Sequence, residues 1–350
     1  MRVLITGVCG FAGSAVAEAL LESLEGVEVA GIDNLSRPGS ETNRARLRRL
    51  GVEFVHGDVR LASDWEALPA ADWVIDAAAN PSVLAGLGPG ASARQLFEGN
   101  LGALGHVLDY CRGYGAGLLL LSSSRVYSIR ALSAIALAVR DGAFVPRDEE
   151  LSRHGIGVDF PVTPPVSLYG ATKLASETLA IESGEAFGFP VWVTRCGTLA
   201  GAGQFGTANQ GIFAFWINSH LRRRPLRYTG FDGTGHQTRD ALHPRDLARL
   251  LTAQMRSGRQ DGQRVYTAGG GTANARSLAQ LTRWCDARFG PHAPVADPHP
   301  RPYDVPWIAM DNRDAARDFG WRVETPVEAL LDEIAAHAGE HPEWLETSGA

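Results

Sequence analysis

Tyr169 and Lys173 stand four residues apart in Ser167-Leu-Tyr169-Gly-Ala-Thr-Lys173, which opens a helix expected to run on to Ala186. That spacing puts both side chains on one helix face. A free phenol has a pKa of about 10, and an ammonium group beside it stabilises the phenolate. Such a pair can take a proton from an alcohol near neutral pH. A hydroxyl at Ser123, in Ser122-Ser123-Ser124-Arg125-Val126-Tyr127, can orient that alcohol. The same spacing also describes an amphipathic helix with a packed tyrosine. The chemistry therefore depends on what the rest of the chain brings to these residues.

The first positioning element lies at the N-terminus. Residues 3–5 form an apolar run with the branching of a buried parallel strand. Gly7, Gly10 and Gly13 follow, and residues 14–24 carry apolar side chains at helical spacing. A strand, a glycine turn and a helix N-terminus let a pyrophosphate approach free N–H groups and the positive end of the helix dipole. Gly7, Gly10, Phe11, Ala12 and Gly13 are accordingly expected to bind a dinucleotide. A second strand, 27–32, ends in Asp33, twenty residues after Gly13, where a carboxylate can accept hydrogen bonds from the adenosine ribose. Asp33 would repel a 2′-phosphate, which favours NAD over NADP. Arg37, close behind, works against that repulsion, and Asn34 and Ser36 share its loop. A third strand, 52–55, leads to Asp58 and Val59, suited to the adenine amino group and ring. A fourth, 73–75, opens onto Ala77-Ala78-Ala79-Asn80, where small residues let a cofactor lie against the backbone. Asn100 falls within a helix expected over 94–110.

Residues 118–121 and 191–194 supply two more strands. Strands alternating with helices predict an α/β fold, a Rossmann-type doubly wound parallel sheet with ligands beyond the carboxyl ends of its strands. Helices near 212–221, 244–256, 278–288 and 326–338 predict a smaller, mixed C-terminal substrate lobe. The expected division is a dinucleotide-binding domain over 1–197 with a return segment near 236–256, a substrate lobe over 198–340, and a frayed tail over 341–350. Residues 130–165 interrupt the rhythm with a helical piece around 131–139 and a loop rich in Pro and Asp. This insertion is expected to be a flap over the substrate or else a surface excursion.

Composition excludes several classes. Over 350 residues the formal net charge is −6 and the pI ≈ 5.9, which leaves no electrostatic footprint for nucleic acid. No apolar segment has the length of a membrane span, and Met1-Arg2 leads straight into a strand and not into a signal peptide. Cys9, Cys111, Cys196 and Cys285 are far apart. That predicts a reducing, cytoplasmic setting without a disulfide framework or zinc site. His337 and His341 have metal-pair spacing but no accompanying ligands, so no metal is expected.

The glycine turn, Asp58-Val59, the serine cluster ending in Val126-Tyr127, and Tyr169-Gly-Ala-Thr-Lys173 make nearly the whole chain resemble one superfamily. It is the extended short-chain dehydrogenase/reductases, the nucleotide-sugar epimerases and dehydratases. The resemblance implies NAD as cofactor and Ser123, Tyr169 and Lys173 as catalytic residues, with Tyr169 and Lys173 also touching the cofactor. It further implies a homodimer formed through the helices that contain Asn100 and Lys173. Dehydratases of the superfamily carry an Asp and a Glu after the serine; here Ser124 and Arg125 stand there, so water elimination lacks its proton carriers.

Asp33-Asn-Leu-Ser-Arg37, the stretch from Phe54 to Arg60, Gly203-Gln204-Phe205, Gln210-Gly211 and the stretch from Gly233 to His243 are similar, more narrowly, to the CDP-tyvelose 2-epimerase group. This implies inversion at sugar C2 by transient oxidation and hydride return, on a nucleotide-diphosphate sugar, with a CDP-sugar favoured. Asn80, Ser124, Arg125, Thr198, Gln204 and Gln210 are then expected at the substrate. Arg239 and Arg301 match positions that contact phosphate, and Asp304 is expected to fix Arg301 or meet a ribose. Cys9, Ala12, Arg125 and the insertion depart from that group. Epimerisation at C4, reduction of a keto sugar, and a catalytically idle NAD-binding regulator are the alternatives. The intact Ser123, Tyr169 and Lys173 speak against the last.

Overall fold

The computed structural model describes residues 1–88, 91–258 and 262–350. Seven strands form its main sheet: β1 (Arg2–Thr6), β2 (Glu28–Asp33), β3 (Glu53–His56), β4 (Trp73–Asp76), β5 (Gly117–Ser123), β6 (Val191–Cys196) and β7 (Val265–Ala268). Their order is β7-β6-β5-β4-β1-β2-β3, and all neighbours are parallel. Alternate residues of a strand face opposite sides. Val3, Ile5, Leu119 and Leu121 thus share one core with Val16, Leu20, Leu247 and Leu251. Leu4, Leu118 and Leu120 share another with Leu104, Val107 and Ala180. Each such buried side chain contributes about 1.5–3 kcal/mol; helices on both faces explain why these strands read as continuous apolar runs.

The chain order reverses at β1, which lies between β4 and β2. A crevice at the carboxyl ends of β1 and β4 is where a doubly wound sheet receives its ligand. The anticipated return segment 236–256 is divided: Thr238–Leu242 belongs to the mixed sheet of the C-terminal lobe, and its helix alone packs on the main sheet. Helix Pro244–Arg256 joins the first core, and β7, which the sequence reading did not include, extends the sheet at its edge.

The C-terminal lobe packs helices Ile212–Leu221, Leu278–Phe289 and Val327–Glu340 around Phe213, Trp216, Leu281, Leu330 and Ile334. Its mixed sheet centres on Thr238–Leu242, antiparallel to Ala275–Ser277 and parallel to Trp307–Ile308 and Thr198–Leu199. No helix among the described residues is long and apolar enough to cross a membrane.

Two local expectations need correction. The helix expected around 131–139 is only Ile129–Ser133; Leu137–Arg140 and Ala143–Pro146 instead form a hairpin. Asp141 and Gly142 make its turn with positive φ, 48° and 69°, the preference that Asp-Gly is known for. The hairpin is fastened to the C-terminal lobe: Phe144 N donates to His236 O (2.9 Å), and Ser277 Oγ to Gly142 O (2.7 Å). The tail, in turn, is folded and not frayed. Helix Trp344–Thr347 buries Trp344 and Leu345.

Candidate active site

The carboxyl ends of β1 and β4 are locked together by one hydroxyl. Thr6 Oγ1 donates to Asp76 Oδ1 (2.6 Å) and accepts from Ala77 N and Ala78 N (3.1 Å each). Gly7 has φ +64°, and a Cβ there would lie 2.9 Å from Ala78 Cα; a Cβ on Gly13 would lie 2.3 Å from Gly7 O. No side chain fits at either position. Helix Phe11–Ser23 follows, and its N-cap Gly10 brings no side chain to the first-turn N–H groups. Phe11, Ala12 and Gly13 therefore present a helix N-terminus open to an anion.

Asp33, at the end of β2, accepts from Cys9 N (2.9 Å) and Leu35 N (2.8 Å). Burial pushes its carboxyl up, and these N–H groups work against that shift. Asn34 Nδ2 donates to Asp58 (3.1 Å), and Asn34 Oδ1 accepts from Ser36 N. Both Asp58 oxygens also take the Arg60 guanidinium, at 2.9 and 2.6 Å. Arg60 holds this carboxyl well below the usual carboxylate range. Val59, beside it, packs against the second core and accepts from Trp65 Nε1.

The Tyr169–Lys173 pair sits in helix Ser167–Phe187, and both side chains are buried. Gly170 shows what the helix start packs against: a Cβ there would come 2.2 Å from Arg125 O. The turn after Ser123 and the first turn of the Tyr169 helix thus touch backbone to backbone. Ser123, half-buried at the end of β5, accepts from Arg125 N at 3.1 Å. Burial pushes the Cys196 thiol, at the end of β6, up to about 12, while the Lys173 ammonium works against that rise.

One more turn along the same face lies Glu177, which the sequence reading missed. It accepts from Ser122 Oγ and, at 2.8–3.2 Å, from Arg195. Arg195 also donates to Val158 O in the insertion (3.0 Å). Continued i, i+4 spacing after Lys173 was the signal that could have found Glu177. Asn100 braces the helix from the other side. Its amide bonds Asn80 N and O (2.8 and 3.0 Å), and its carbonyl accepts from Ser176. Asn100 is thus committed to holding Ala79-Asn80 against the Tyr169 helix.

At the far end three guanidinium groups converge. Arg239 donates to Asp304 Oδ1, Val305 O and Thr238 O at 2.6–2.8 Å. Arg125 donates to Tyr303 O at 3.2 Å. Burial pushes Arg125 down to about 10, repulsion from Arg239 and Arg301 adds to this, and Asp304 and Tyr169 oppose it. Arg239 is lowered by burial, with Asp304 opposing. Asp304 and, behind Arg239, Asp240 face these three cations, so positive charge remains in excess beside Tyr169. The expected Asp304–Arg301 pairing is corrected: Asp304 pairs with Arg239, and Arg301 donates to Asn209 O and Oδ1 (3.1 Å each). Ser124 is buried next to Arg125, and Thr198 is half-buried in the strand beside Ala241.

Gln204 and Gln210 do not join this cluster. Gln204 Nε2 donates to Leu199 O (2.6 Å), and Gln210 Oε1 accepts from Arg37 (2.7 Å), behind Asp33. Among the described residues no group of three or more His, Cys, Asp or Glu could hold a metal ion. A cleft of ≈ 550 Å³ lined by Val158, Arg195, Gln263, Arg264, Asp314 and Arg317 contains none of the expected site residues. Its charged rim is unlike the apolar lining of a small-molecule site.

Comparison with known proteins agrees with this geometry. Residues 3–269 match the NAD dependent epimerase/dehydratase family. Among curated relatives, a CDP-paratose 2-epimerase of Salmonella typhi is 27% identical, covering 80% of this chain and 82% of its own. A UDP-glucuronate 4-epimerase of Thermodesulfobacterium geofontis is 27% identical over 98% of both chains. Among solved structures, UDP-glucuronic acid 4-epimerase from Bacillus cereus, in complex with UDP-glucuronic acid and NAD, superposes with a TM-score of 0.79 at 22% identity, covering 97% of this chain and 99% of that one.

The chain belongs to the NAD dependent epimerase/dehydratase family. Its residues fit that cofactor. The Gly7–Gly13 turn, packed so closely on Ala78 and on itself that it carries no side chains at Gly7 and Gly13, leaves the uncapped helix N-terminus free for a pyrophosphate, and the Asp33 carboxylate suits a ribose diol.

Proposed function

We propose that this protein is an NAD-dependent nucleotide-sugar epimerase that inverts C2 of a CDP-linked sugar. The observation that carries the reading is the excess of positive charge at Arg125, Arg239 and Arg301 over Asp304 and Asp240, with the Arg125 backbone packed against the start of the Tyr169 helix. A diphosphate neutralises that charge and brings an attached sugar to Tyr169 and Ser123. Arginine suits the task because its fork pairs two oxygens at once. Gly7, Gly10, Gly13 and Asp33 hold the cofactor, and Ala77 to Ala79 line its path. When bound there, NAD would supply the reversible hydride acceptor that epimerisation at a carbinol carbon requires.

Tyr169 Oη takes the hydroxyl proton as the carbon is oxidised and gives it back on reduction. Lys173 stabilises the phenolate, and Ser123 Oγ orients the reacting oxygen. Ser124 and Arg125 put no carboxylate near the neighbouring carbons, so no residue there carries a proton for elimination. The similarity to a CDP-paratose 2-epimerase supports C2 and CDP. A second reading, 4-epimerisation, is favoured by the UDP-glucuronate 4-epimerase that matches along 98% of the chain. Exposed Phe97, Leu179 and Phe187, on the Asn100 and Lys173 sides of the molecule, suit a homodimer.

The test is a panel of CDP-, UDP- and GDP-sugars turned over in deuterated water. The reading predicts inversion at C2 of a CDP-sugar with no deuterium at that carbon and no net NADH. Deuterium at the inverted carbon, or consumption of reduced cofactor in step with product, would sink it; inversion at C4 would select the second reading.

A further inference from the structure

The loop that follows Asp33 is gripped from a distance by two other parts of the chain. Arg37 Nη1 donates to Gln210 Oε1 (2.7 Å) and Arg37 Nη2 to Phe205 O (2.6 Å), both in the C-terminal lobe. Gly39, at φ +88°, is pressed between two walls: a Cβ there would lie 2.7 Å from the Phe205 ring and 2.9 Å from Thr347 O. Phe205 stacks on Trp344 with ring centroids 5.4 Å apart, and Trp344 Nε1 donates to Gln204 O (2.9 Å). The tail is tied down in turn: Glu346 pairs with Arg224, and Arg222 donates to Pro342 O (2.7 Å). Gly349 faces Pro38.

This loop is the outer wall of Asp33. Leu35 N donates to the Asp33 carboxylate, and Asn34 ties the loop to Asp58. The wall can swing away only if both Arg37 bonds break and Gly39 leaves the Phe205–Thr347 slot. We propose that residues 203–211 and the C-terminal helix Trp344–Thr347 form a latch that retains the dinucleotide at its adenosine end, with Gln210 and Trp344 as its positioning residues. The inference rests on the reading that Asp33 takes the adenosine ribose of a resident cofactor. It gives Gln204 and Gln210 a place in cofactor retention instead of sugar recognition. It also accounts for an arginine that stands behind Asp33 without serving as a phosphate partner, since its two terminal nitrogens are engaged.

The test uses the full chain loaded with NAD and follows NAD release after dilution, with a high-affinity dehydrogenase trapping what is released. Wild type is compared with Gln210→Ala, Trp344→Ala and Gln210→Glu, and the unfolding midpoint of each protein stripped of NAD reports on folding. Losing the bond from the Arg37 guanidinium in Gln210→Ala, or the Phe205 stack and the bond to Gln204 O in Trp344→Ala, predicts release faster by about ten- to hundredfold. Gln210→Glu, which turns the Arg37 contact into an ion pair, should release NAD more slowly than wild type. A merely structural role would not give opposite signs at one position. Alanine variants that fold normally and release NAD at the wild-type rate would overturn the latch. Fast release from wild type with the predicted ratios preserved would instead count against the resident-cofactor reading while leaving the latch in place.

Discussion

At the glycine-turn end of the site the chain offers closely packed backbone and an uncapped helix N-terminus, whereas at the arginine end it offers side-chain charge. Gly7, Gly10 and Gly13 come from one continuous segment whose fit depends on Cβ atoms that are not there. Arg125, Arg239, Arg301 and Asp304 come from three separate segments, and their meeting depends on the insertion and the lobe sheet being docked together. The first end suits a ligand common to a whole family. The second can change partner by changing a few side chains, so substrate identity should reside there.

That contrast can be broken most sharply by a matched pair of variants. Gly13→Val drives a side chain into Gly7 O and should empty the protein of NAD, measured by chromatography of the denatured, purified chain. Arg239→Met should keep full NAD content and raise KM for the sugar nucleotide by about ten- to hundredfold with a smaller change in kcat. Arg239→Met/Asp304→Asn controls for the carboxylate left behind. Equal loss of NAD in both single variants would erase the distinction between the ends.

A smaller effect sharpens it. Asp240, next to Arg239, is fully buried, and burial pushes its carboxyl up to about 6 against the N–H groups of Met310 and Gly271. Its folded value lies above the unfolded one of about 3.9. The native chain therefore holds a proton that the unfolded chain has lost, and this group makes stability fall as pH rises from about 4 to about 6, then level off. The slope cannot exceed about 1.4 kcal/mol per pH unit for one group. Urea unfolding across that range should find it in wild type and not in Asp240→Asn; equal slopes would place the charge elsewhere.

The two ends also differed in how well they could be read from the chain. The glycine turn was legible because strand, turn and helix are contiguous and the spacing carries the geometry. Arg239 and Arg301 were legible as cations through resemblance, but not their partners. Tyr303 takes a positive φ of 58° just before Asp304, and Asp304 pairs with Arg239 across the lobe, a choice that spacing does not reveal. Gln210 lies 173 residues from Arg37, and no local signal links them. The tail holds too few apolar residues to announce a docked helix; Trp344 is buried because Phe205 supplies the facing ring. The hairpin after Ser133 did carry a signal, Asp141-Gly142, which the alanines around it obscured.

The claim on which all else turns is that Tyr169 moves the proton of the reacting hydroxyl. Turnover of Tyr169→Phe, measured alongside its NAD content, tests it most directly. The account predicts a loss of about 10²–10⁴-fold in kcat with NAD retained at the wild-type level. A variant that keeps both its NAD and its full rate would contradict it.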